Sequence, residues 1–538
     1  MIGPMATTGN WKRTVVEQYL QQTLYRADDI FAQGQGVEGG PGEPLKWKLY
    51  CGVERVPLTE QLPDALGDLR RSLSGDQPAR STNLSEEDLS ALLYLTYGFA
   101  RWEPGPGAGW PLHRTVASAR CLFPTELYVG VPSGLPTVQA GLYHYDPAHH
   151  LLALLRPGDP RDRLGEVVGA DLADACCVLM VSSLFWKTAF KYRNYAYRLC
   201  TQEAGMVLGN ALAVTGTLGL DHHVHYQFVD WAANRLLGLD PGQESVLAVV
   251  AVYPPSARPD GIRRSPGPVG EGGLLPAIPE IRPAHVDLGR LNEDLCGMVT
   301  RIDQSSYLHS ADEFTSQEPV GSTCGDGPGN VVSIPADDSE PLDLVAALRA
   351  RNSGRVLFTP LRQPITVSAL LDVVRYCSGR HPSDLRPTSD PPRPAVHLAV
   401  NNVDRQPPGV YRWCPTHRGL HAVALGDPTE QLQDTLKVPN VDLRAANLVA
   451  FVVADHRAAI ETFGNRAYRI LNMESGVLAK RICLLSAAHG LSARVHNGYD
   501  AVRAKKLLHL TEPESTPFFQ IIVGRDSLGV RYGLPIKF

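Results

Sequence analysis

A lysine and a tyrosine stand side by side at positions 191 and 192, and together they could move a proton. A lysine can act as a base when burial or neighbouring positive charge disfavours its protonated form, and an adjacent tyrosine can relay or orient the proton. Lys187, Arg193 and Arg198 supply such charge nearby. The pattern predicts that Lys191, Tyr192 or both are the general base. The alternative is an exposed cation beside a packed aromatic ring at the start of a helix.

A second group of residues has the chemistry of an anion site. Arg351-x-Ser353-x-Arg355 places two arginines an even number of positions apart with a hydroxyl between them. On an extended segment such side chains project to the same side, where they suit a phosphate. Arg525 and Arg531, close to the end of the chain, could join them. The alternative is a solvated, charged face.

The long stretch from 185 to 220 must position the lysine and tyrosine. After its cationic start it becomes a run of apolar and small residues that contains Gly205, Gly209 and Gly216. A helix that is apolar on nearly every side is buried, and its glycines allow another backbone to approach closely. The stretch therefore predicts a central helix packed on a similar helix, with a polar site at its N-terminal end.

The similar helix belongs to the same chain. Residues 191–220 match residues 462–491 without a gap, at a constant offset of 271. Asn194, Arg198, Glu203 and Gly205 recur as Asn465, Arg469, Glu474 and Gly476, and we expect each arginine to pair with the glutamate of its own helix. A repeat this long predicts two domains rather than a solenoid.

The two copies differ at the residues that could do chemistry. Thr462-Phe463 occupies the place of the lysine and tyrosine, and neither residue can act as a base. Opposite Arg351-x-Ser353-x-Arg355 we align Arg70-x-Ser72-x-Ser74, which lacks the last arginine. These differences indicate that the copies have diverged in function.

Two further segments could contact a ligand through the backbone. Ser118-Ala119-Arg120 forms a polar turn before a predicted strand, and the N–H groups of such a turn can hold anionic oxygens. Asn497-Gly498-Tyr499 contains a glycine that permits close approach to a flat ligand, whereas its counterpart, Tyr226-Gln227-Phe228, has none. An ordinary turn remains the alternative for the first segment.

Composition limits the remaining classes. The chain has 538 residues, 43% of them hydrophobic, and a net charge of −5, which argues against nucleic acid as a partner. No long apolar run predicts a membrane span, and no secretion signal is visible, so we expect a cytoplasmic protein whose ten cysteines are reduced. His222, His223 and His225 lack supporting cysteine or carboxylate spacing, so we expect no metal site.

The domain organisation follows from the duplication and from a Pro- and Gly-rich stretch between the copies. The predicted units are an N-terminal arm (1–60), a first domain (61–253), a connector (254–340) and a second domain (341–538).

The order of these motifs, found twice, resembles the nitroreductase-like FMN fold, and more narrowly the SagB/ThcOx-type azoline dehydrogenases of ribosomal peptide natural-product pathways. The resemblance rests on the Arg-x-Ser-x-Arg motif, the Ser-Ala turn, GLYHYD at Gly141, the Lys-Tyr pair and the buried helix, and it covers about residues 60–253 and 340–535. The chain departs from the family where Arg120 replaces a glycine and Ser74 an arginine.

This resemblance implies an α+β fold of tandem nitroreductase-like domains that form an intramolecular pseudo-dimer around paired central helices. It implies FMN bound between the domains, and the asymmetry predicts one productive site and one decayed site. The implied reaction oxidises thiazoline or oxazoline rings of a precursor peptide, and oxygen then reoxidises the flavin. The implied partner is a cyclodehydratase complex, and the chain could also form a homodimer. The alternatives are an NAD(P)H-dependent nitroreductase acting on small molecules and a non-catalytic scaffold.

Overall fold

The structure is a computed structural model. It describes residues 9–32, 42–75, 83–103, 110–255, 278–315, 331–333, 340–354, 358, 360–379, 381–385, 394–414, 418–438, 440–513, 515–526 and 534–535. Within them no helix is long and apolar enough to cross a bilayer.

Fifteen α-helices lie in the described residues. They are α1 (Thr14–Leu20), α2 (Ala27–Phe31), α3 (Leu69–Ser74), α4 (Glu86–Tyr97), α5 (Arg161–Val168), α6 (Trp186–Tyr192), α7 (Ala196–Thr217), α8 (Asp230–Leu237), α9 (Glu293–Ser305), α10 (Leu344–Ala350), α11 (Val367–Cys377), α12 (Thr429–Gln433), α13 (His456–Phe463), α14 (Ala467–Ala488) and α15 (Ala501–Leu507).

Seventeen strands complete the described elements. They are β1 (Arg55–Pro57), β2 (Phe99–Trp102), β3 (Leu112–Arg114), β4 (Thr125–Val131), β5 (Gly141–Asp146), β6 (Leu151–Pro157), β7 (Cys177–Leu184), β8 (Asp221–His225), β9 (Glu244–Tyr253), β10 (Val331–Ser333), β11 (Ala395–Val400), β12 (Gly409–Cys414), β13 (Gly419–Leu425), β14 (Leu448–Asp455), β15 (Ser492–His496), β16 (Ser515–Gly524) and β17 (Leu534–Pro535).

The two halves of the chain build the same sheet. The first sheet has the order β1-β6-β5-β4-β7-β9-β8, and the second has the matching order β10-β13-β12-β11-β14-β16-β15. We call the halves the first repeat, which ends with β9, and the second repeat, which runs from β10 to β17. In both, the two strands with the longest buried apolar runs, β7 and β9 or β14 and β16, are adjacent. The predicted α+β fold of tandem domains is confirmed.

The paired central helices α7 and α14 lie between the sheets, and both contain 22 residues. Glycines allow their contact: a Cβ on Gly205 would lie 2.0 Å from the Met473 carbonyl oxygen, and a Cβ on Gly476 would lie 2.2 Å from that of Gln202. No side chain fits at either position, so the expectation that glycines bring the two backbones together is confirmed.

The predicted single helix over 185–220 is wrong in one respect, because it breaks at Arg193. This residue has φ 50° and ψ −136°, a backbone conformation that does not continue a helix and that favours glycine. The second repeat has the same break at Gly464, with φ 60° and ψ −141°. Lys191 and Tyr192 therefore end α6, and α7 begins at Ala196.

The stretch predicted as a connector contains the 13-residue helix α9, which packs against the first repeat. The Met298 N–H donates to Asn194 Oδ1 at 3.0 Å, and in α1 the Val16 N–H donates to Asn465 Oδ1, also at 3.0 Å. Since Asn194 and Asn465 are counterparts, α1 and α9 hold corresponding places: α9 bonds to the first repeat and α1 to the second. The predicted domain boundaries stay a prediction.

Contacts between the repeats are reciprocal. The Leu69 N–H donates to the Leu342 carbonyl at 2.7 Å, and the Leu344 N–H donates to the Gly67 carbonyl at 3.2 Å. In addition, β17, near the end of the second repeat, pairs with β2 of the first. These exchanges join the repeats as the subunits of a dimer are joined.

Helix α4 begins with a capping box, because Ser85 Oγ accepts from the Asp88 N–H and Asp88 accepts from the Ser85 N–H. The expectation that all cysteines are reduced is wrong at Cys414, which is disulfide-bonded.

Candidate active site

A buried cluster of cations lies between the repeats. Arg351 follows α10 directly and is almost fully buried. Its Nη2 donates to the Arg114 carbonyl of the first repeat at 3.2 Å, and its Nε has no hydrogen-bond partner. Burial, followed by the charge of Arg101, lowers the pKa of Arg351 to about 10. No carboxylate of the described residues forms an ion pair with this guanidinium to offset its desolvation.

Ser353, which was predicted for the anion site, and Arg494, which was not, lie close to this arginine. Arg494 Nε donates to the Ser353 carbonyl at 2.9 Å, and burial lowers its pKa to about 10. The next segment is tied to the same place, because the Ala493 N–H donates to the Asn352 carbonyl at 3.1 Å. The structure thus brings Arg351, Ser353 and Arg494 together.

Arg525 follows β16 at the same edge of the second sheet. Ser492, which bonds to Asn352 through its hydroxyl, pairs in register with Gly524, the residue before Arg525. The Arg525 Nε is buried and without a hydrogen-bond partner. Arg355 and Arg531, also predicted for this site, lie outside the described residues.

The predicted turn of the first repeat faces this region. Ser118 Oγ accepts from the Phe123 N–H at 2.9 Å and hydrogen-bonds to buried Glu203 of α7. Arg120 has φ 52°, which explains why the family pattern has a glycine there, and its guanidinium lies over Trp110, 5.4 Å from the ring centre. Ser118 and Ala119 are half-buried and Arg120 is exposed, so the turn is accessible.

The segment that begins at Asn497 contacts the first repeat through α7. Asn497 Nδ2 donates to Gln202 Oε1 at 2.7 Å. Tyr499 is instead committed to the core of the second repeat, because its hydroxyl donates to the Pro517 carbonyl at 2.7 Å. Asn497 and Gly498 are therefore the members of this segment that could contact a ligand.

Lys191 and Tyr192 are half-buried at the end of α6. Tyr192 packs edge-on against Phe31 of α2 at 6.5 Å, and Phe31 also contacts Tyr195 at 5.3 Å. Arg198 continues this series of contacts, because it lies over the Tyr195 ring and donates to the Tyr499 hydroxyl at 3.4 Å. These contacts connect Tyr192 indirectly to Tyr499, the last residue of the Asn497 segment.

Two predicted charge relationships are wrong. Lys187 does not direct its charge towards Lys191, since it is buried and forms an ion pair with Glu126. Arg469 pairs with Asp230 at 2.6 Å rather than with the glutamate of its own helix, and Arg198 donates to the Phe518 carbonyl. Both arginines are structural, as expected, but their partners lie on other elements.

The equivalent place on the other side of the pseudo-dimer is filled by side chains. Tyr226, the counterpart of Asn497, donates its hydroxyl to Glu474 at 2.6 Å. Asp384 accepts from the N–H groups of Tyr226 and Gln227, at 3.0 and 2.8 Å. In the described part of the chain, no carboxylate bonds to the corresponding N–H groups of Asn497 and Gly498.

The sequence alignment of Arg351 with Arg70 is wrong. Asp68 and Asp343 cap α3 and α10 in the same way, and counting from these caps places Asp76 opposite Arg351. Arg70 instead forms a bidentate pair with Asp372, at 3.1 and 2.8 Å. The error arose because the first repeat has a similar Arg-x-Ser pattern six residues earlier.

The corrected alignment makes the two repeats more different. Pro78 stands opposite Ser353, and Arg80 stands opposite Arg355. These first-repeat positions lie outside the described residues. An aspartate and a proline thus replace the first two residues of the Arg-x-Ser-x-Arg motif, and neither side chain suits a phosphate.

Sequence reasoning missed Lys480, Arg114 and Arg494. Lys480 is fully buried in α14, and its Nζ donates to the Thr115 carbonyl at 2.7 Å. Arg114 is buried against the rings of Tyr97, Phe99 and Phe123, with two nitrogens unpartnered. A signal for Lys480 was present, because the constant offset places it opposite Gly209, in the middle of a buried helix.

The residues present fit a phosphorylated ligand. Arg114, Arg351 and Lys480 are buried and form no ion pair with any carboxylate that the structure describes. Uncompensated buried cations are costly, and a dianionic phosphate with several acceptor oxygens would offset that cost. Among the described residues, no three His, Cys, Asp or Glu side chains are grouped to hold a metal ion.

Comparison with solved structures identifies the fold. A protein from Anabaena variabilis described as a nitroreductase superposes with a TM-score of 0.70 at 22% identity, covering 96% of this chain and 100% of that protein. The chain therefore has the nitroreductase fold over nearly its whole length.

Sequence comparison finds similarity to two peptide-processing proteins. The trifolitoxin-processing protein TfxB of Rhizobium leguminosarum bv. trifolii is 26% identical over 195 residues, 33% of this chain and 50% of that protein. The microcin B17-processing protein McbC of Escherichia coli is 27% identical over 156 residues, 28% of this chain and 56% of that protein. The chain thus matches about half the length of these relatives, and no protein-family model matches it.

Proposed function

We propose that this chain is an FMN-dependent dehydrogenase that converts thiazoline or oxazoline rings of a modified precursor peptide to thiazoles or oxazoles. The observation that carries the proposal is the asymmetry of the pseudo-dimer. We assign the uncompensated cations, the accessible Ser118 turn and the Lys191-Tyr192 pair to one inter-repeat site, whereas Tyr226 and Asp384 fill the equivalent place on the other side. The similarity to two peptide-processing proteins favours a peptide as substrate.

The cofactor would be held by residues of both repeats. Arg351, Ser353 and Arg525 of the second repeat would bind the phosphate, with Arg355 and Arg531 as further candidates. The turn Ser118-Ala119-Arg120 would face it from the first repeat, and the Asn497-Gly498 backbone would lie at the ring edge. FMN, when bound, supplies the two-electron acceptor that no side chain offers.

The protein itself must remove a proton and position the ring. Azoline oxidation removes two hydrogens from adjacent carbons, one as a proton from Cα and one with its electron pair. The ring C=N and the following carbonyl acidify the Cα proton. Lys191, with Tyr192 beside it, is assigned to accept this proton. The second repeat has Thr462 and Phe463 at these positions, so only the first repeat can supply the base.

The proposed partners follow from this chemistry. A precursor peptide must already carry azoline rings, so a cyclodehydratase must act before this chain, and we propose a complex with it. Oxygen is proposed to reoxidise the flavin. The proposed location of the protein is the cytoplasm. Association of two chains into a homodimer would add to the internal pseudo-dimer.

The decisive test measures flavin and turnover on one preparation. Purified full-length protein should be yellow and release one FMN per chain on heating. Incubation with an azoline-containing peptide should then remove two hydrogen atoms per ring, detected by mass spectrometry. Two FMN per chain would refute the single site. Consumption of NADH without peptide would favour the small-molecule nitroreductase, and protein without flavin after reconstitution would favour the scaffold.

A further inference from the structure

Lys480 is a buried ammonium group whose charge has no counter-ion among the residues that the structure describes. It lies in the middle of α14 with no exposed surface, and its Nζ donates to the Thr115 carbonyl at 2.7 Å. No described carboxylate pairs with it. Removing an ammonium from water without an opposite charge costs several kcal/mol, so a lysine here needs a reason beyond one neutral hydrogen bond.

A second cation reaches the same strip of backbone. Arg351 Nη2 bonds to the carbonyl of Arg114, the residue before Thr115, at 3.2 Å. Two cations of the second repeat, Arg351 and Lys480, therefore donate hydrogen bonds to consecutive backbone carbonyls of the first repeat. Burial and the nearby Arg351 lower the pKa of Lys480 well below its usual value, as expected for like charges without an anion between them.

Helix packing does not demand a lysine at this position. Gly209 is the counterpart of Lys480 in the first repeat, and the two face each other where the central helices pack. A Cβ on Gly209 would lie 2.9 Å from the Lys480 Cβ, so the glycine makes room for the lysine stem. The first repeat thus completes the same helix without a cation.

We propose that Lys480 is an additional anchor for the phosphate of the bound flavin, acting with Arg351 across the repeat interface. The inference rests on the proposed function and deepens it, because it assigns to the site a cation outside the Arg-x-Ser-x-Arg motif. Its role is binding: the ammonium group donates charge-assisted hydrogen bonds to phosphate oxygens.

The test compares a flavin with a phosphate and one without. Dissociation constants of FMN and riboflavin are measured by flavin fluorescence on the full-length apo-protein and on Lys480→Met. A charge-assisted bond contributes about 1.5–3 kcal/mol, so FMN should bind at least about tenfold more weakly to the variant. Riboflavin should bind both proteins equally. Lys480→Arg, which keeps the charge, should retain much of the FMN affinity.

Arg481→Met is the matched control, because it removes the next cation of the same helix. Arg481 is buried too, but its guanidinium donates to the carbonyls of Cys377 and Gly379. The Arg481→Met substitution should leave the ratio of FMN to riboflavin affinity unchanged. Lys480→Met should melt at or above the wild-type apo-protein, because it removes an uncompensated buried charge.

Inorganic phosphate separates this inference from the proposed function. It should raise the melting temperature of the wild-type apo-protein and not that of Lys480→Met. If no flavin binds but this difference is seen, the cation pocket stands and the flavoenzyme proposal falls. The phosphate role is overturned if wild type and Lys480→Met bind FMN equally, or if the substitution weakens FMN and riboflavin binding by the same factor. It is also overturned if Lys480→Met does not fold. None of these outcomes affects the flavoenzyme proposal.

Discussion

Gly205 and Gly476 touch at the centre of the molecule, although 271 residues separate them. A Cβ on Gly476 would lie 2.9 Å from the Gly205 Cα and 2.2 Å from the Gln202 carbonyl oxygen. The opposing atoms are backbone, so they cannot move aside as a flexible side chain could. The close packing of the two repeats therefore depends on two residues without side chains.

Gly205→Ala and Gly476→Ala should each destabilise the protein. Alanine gains up to about 1 kcal/mol of helix propensity, but overpacking against a fixed backbone costs roughly 1–3 kcal/mol or more. We expect a net loss of at least about 1 kcal/mol, measured by urea denaturation. Gly297→Ala in α9 is the control, since a Cβ there meets nothing within 4 Å. A stabilising Gly205→Ala would contradict the packing argument.

The duplication could be predicted because the central helices retain one offset over their whole length. The same rule failed at the anion site, because the offset between the caps Asp68 and Asp343 is 275 rather than 271, and a chance Arg-x-Ser pattern at Arg70 attracted the alignment. The break at Arg193 was missed because an arginine does not signal a positive φ. The partners of Arg469 and Lys187 lie on distant strands and helices, which periodicity cannot reveal.

Arg193→Gly should be more stable than Arg193→Ala, the reverse of the usual order in a helix-rich region. Both variants lose the arginine side chain, but only glycine adopts φ 50°, ψ −136° without strain, which costs roughly 1–3 kcal/mol in other residues. We expect a difference of about 1 kcal/mol or more in the free energy of unfolding.

The counterpart position supplies the control for this prediction. Gly464 has the same conformation, and a Cβ there would also lie 2.4 Å from the Asn10 carbonyl oxygen. Gly464→Ala should therefore destabilise the protein. Equal stability of Arg193→Gly and Arg193→Ala would show that the backbone at this residue is not strained.

Glu203→Gln should change how stability depends on pH. Burial raises the pKa of Glu203 from 4.5 to about 7. Since the folded protein holds this proton more tightly than the unfolded chain, the stabilisation is fully present below pH 4.5 and is lost as pH rises to about 7. The glutamine variant lacks this loss. Between acidic and alkaline pH, its free energy of unfolding relative to that of wild type should therefore rise by roughly 3 kcal/mol.

Thermal or urea melts at pH 5 and pH 8 would check this prediction. Glu461→Gln is a suitable control, because that carboxylate is exposed and pairs with Arg457 on the surface of α13. Parallel pH profiles for Glu203→Gln and wild type would mean that Glu203 stays ionised in the folded protein.

Lys191→Ala should separate flavin binding from turnover. The lysine ends α6 beside Tyr192 and is not among the residues proposed to bind the FMN phosphate, so its removal should leave one FMN per chain. General-base catalysis typically contributes 10²–10⁴-fold, so turnover of an azoline peptide should fall at least about a hundredfold. Arg457→Ala is the control, because it removes an exposed cation from α13, the counterpart of α6. Near-normal turnover with bound FMN would exclude Lys191 as the base, and loss of FMN would make it a binding residue instead.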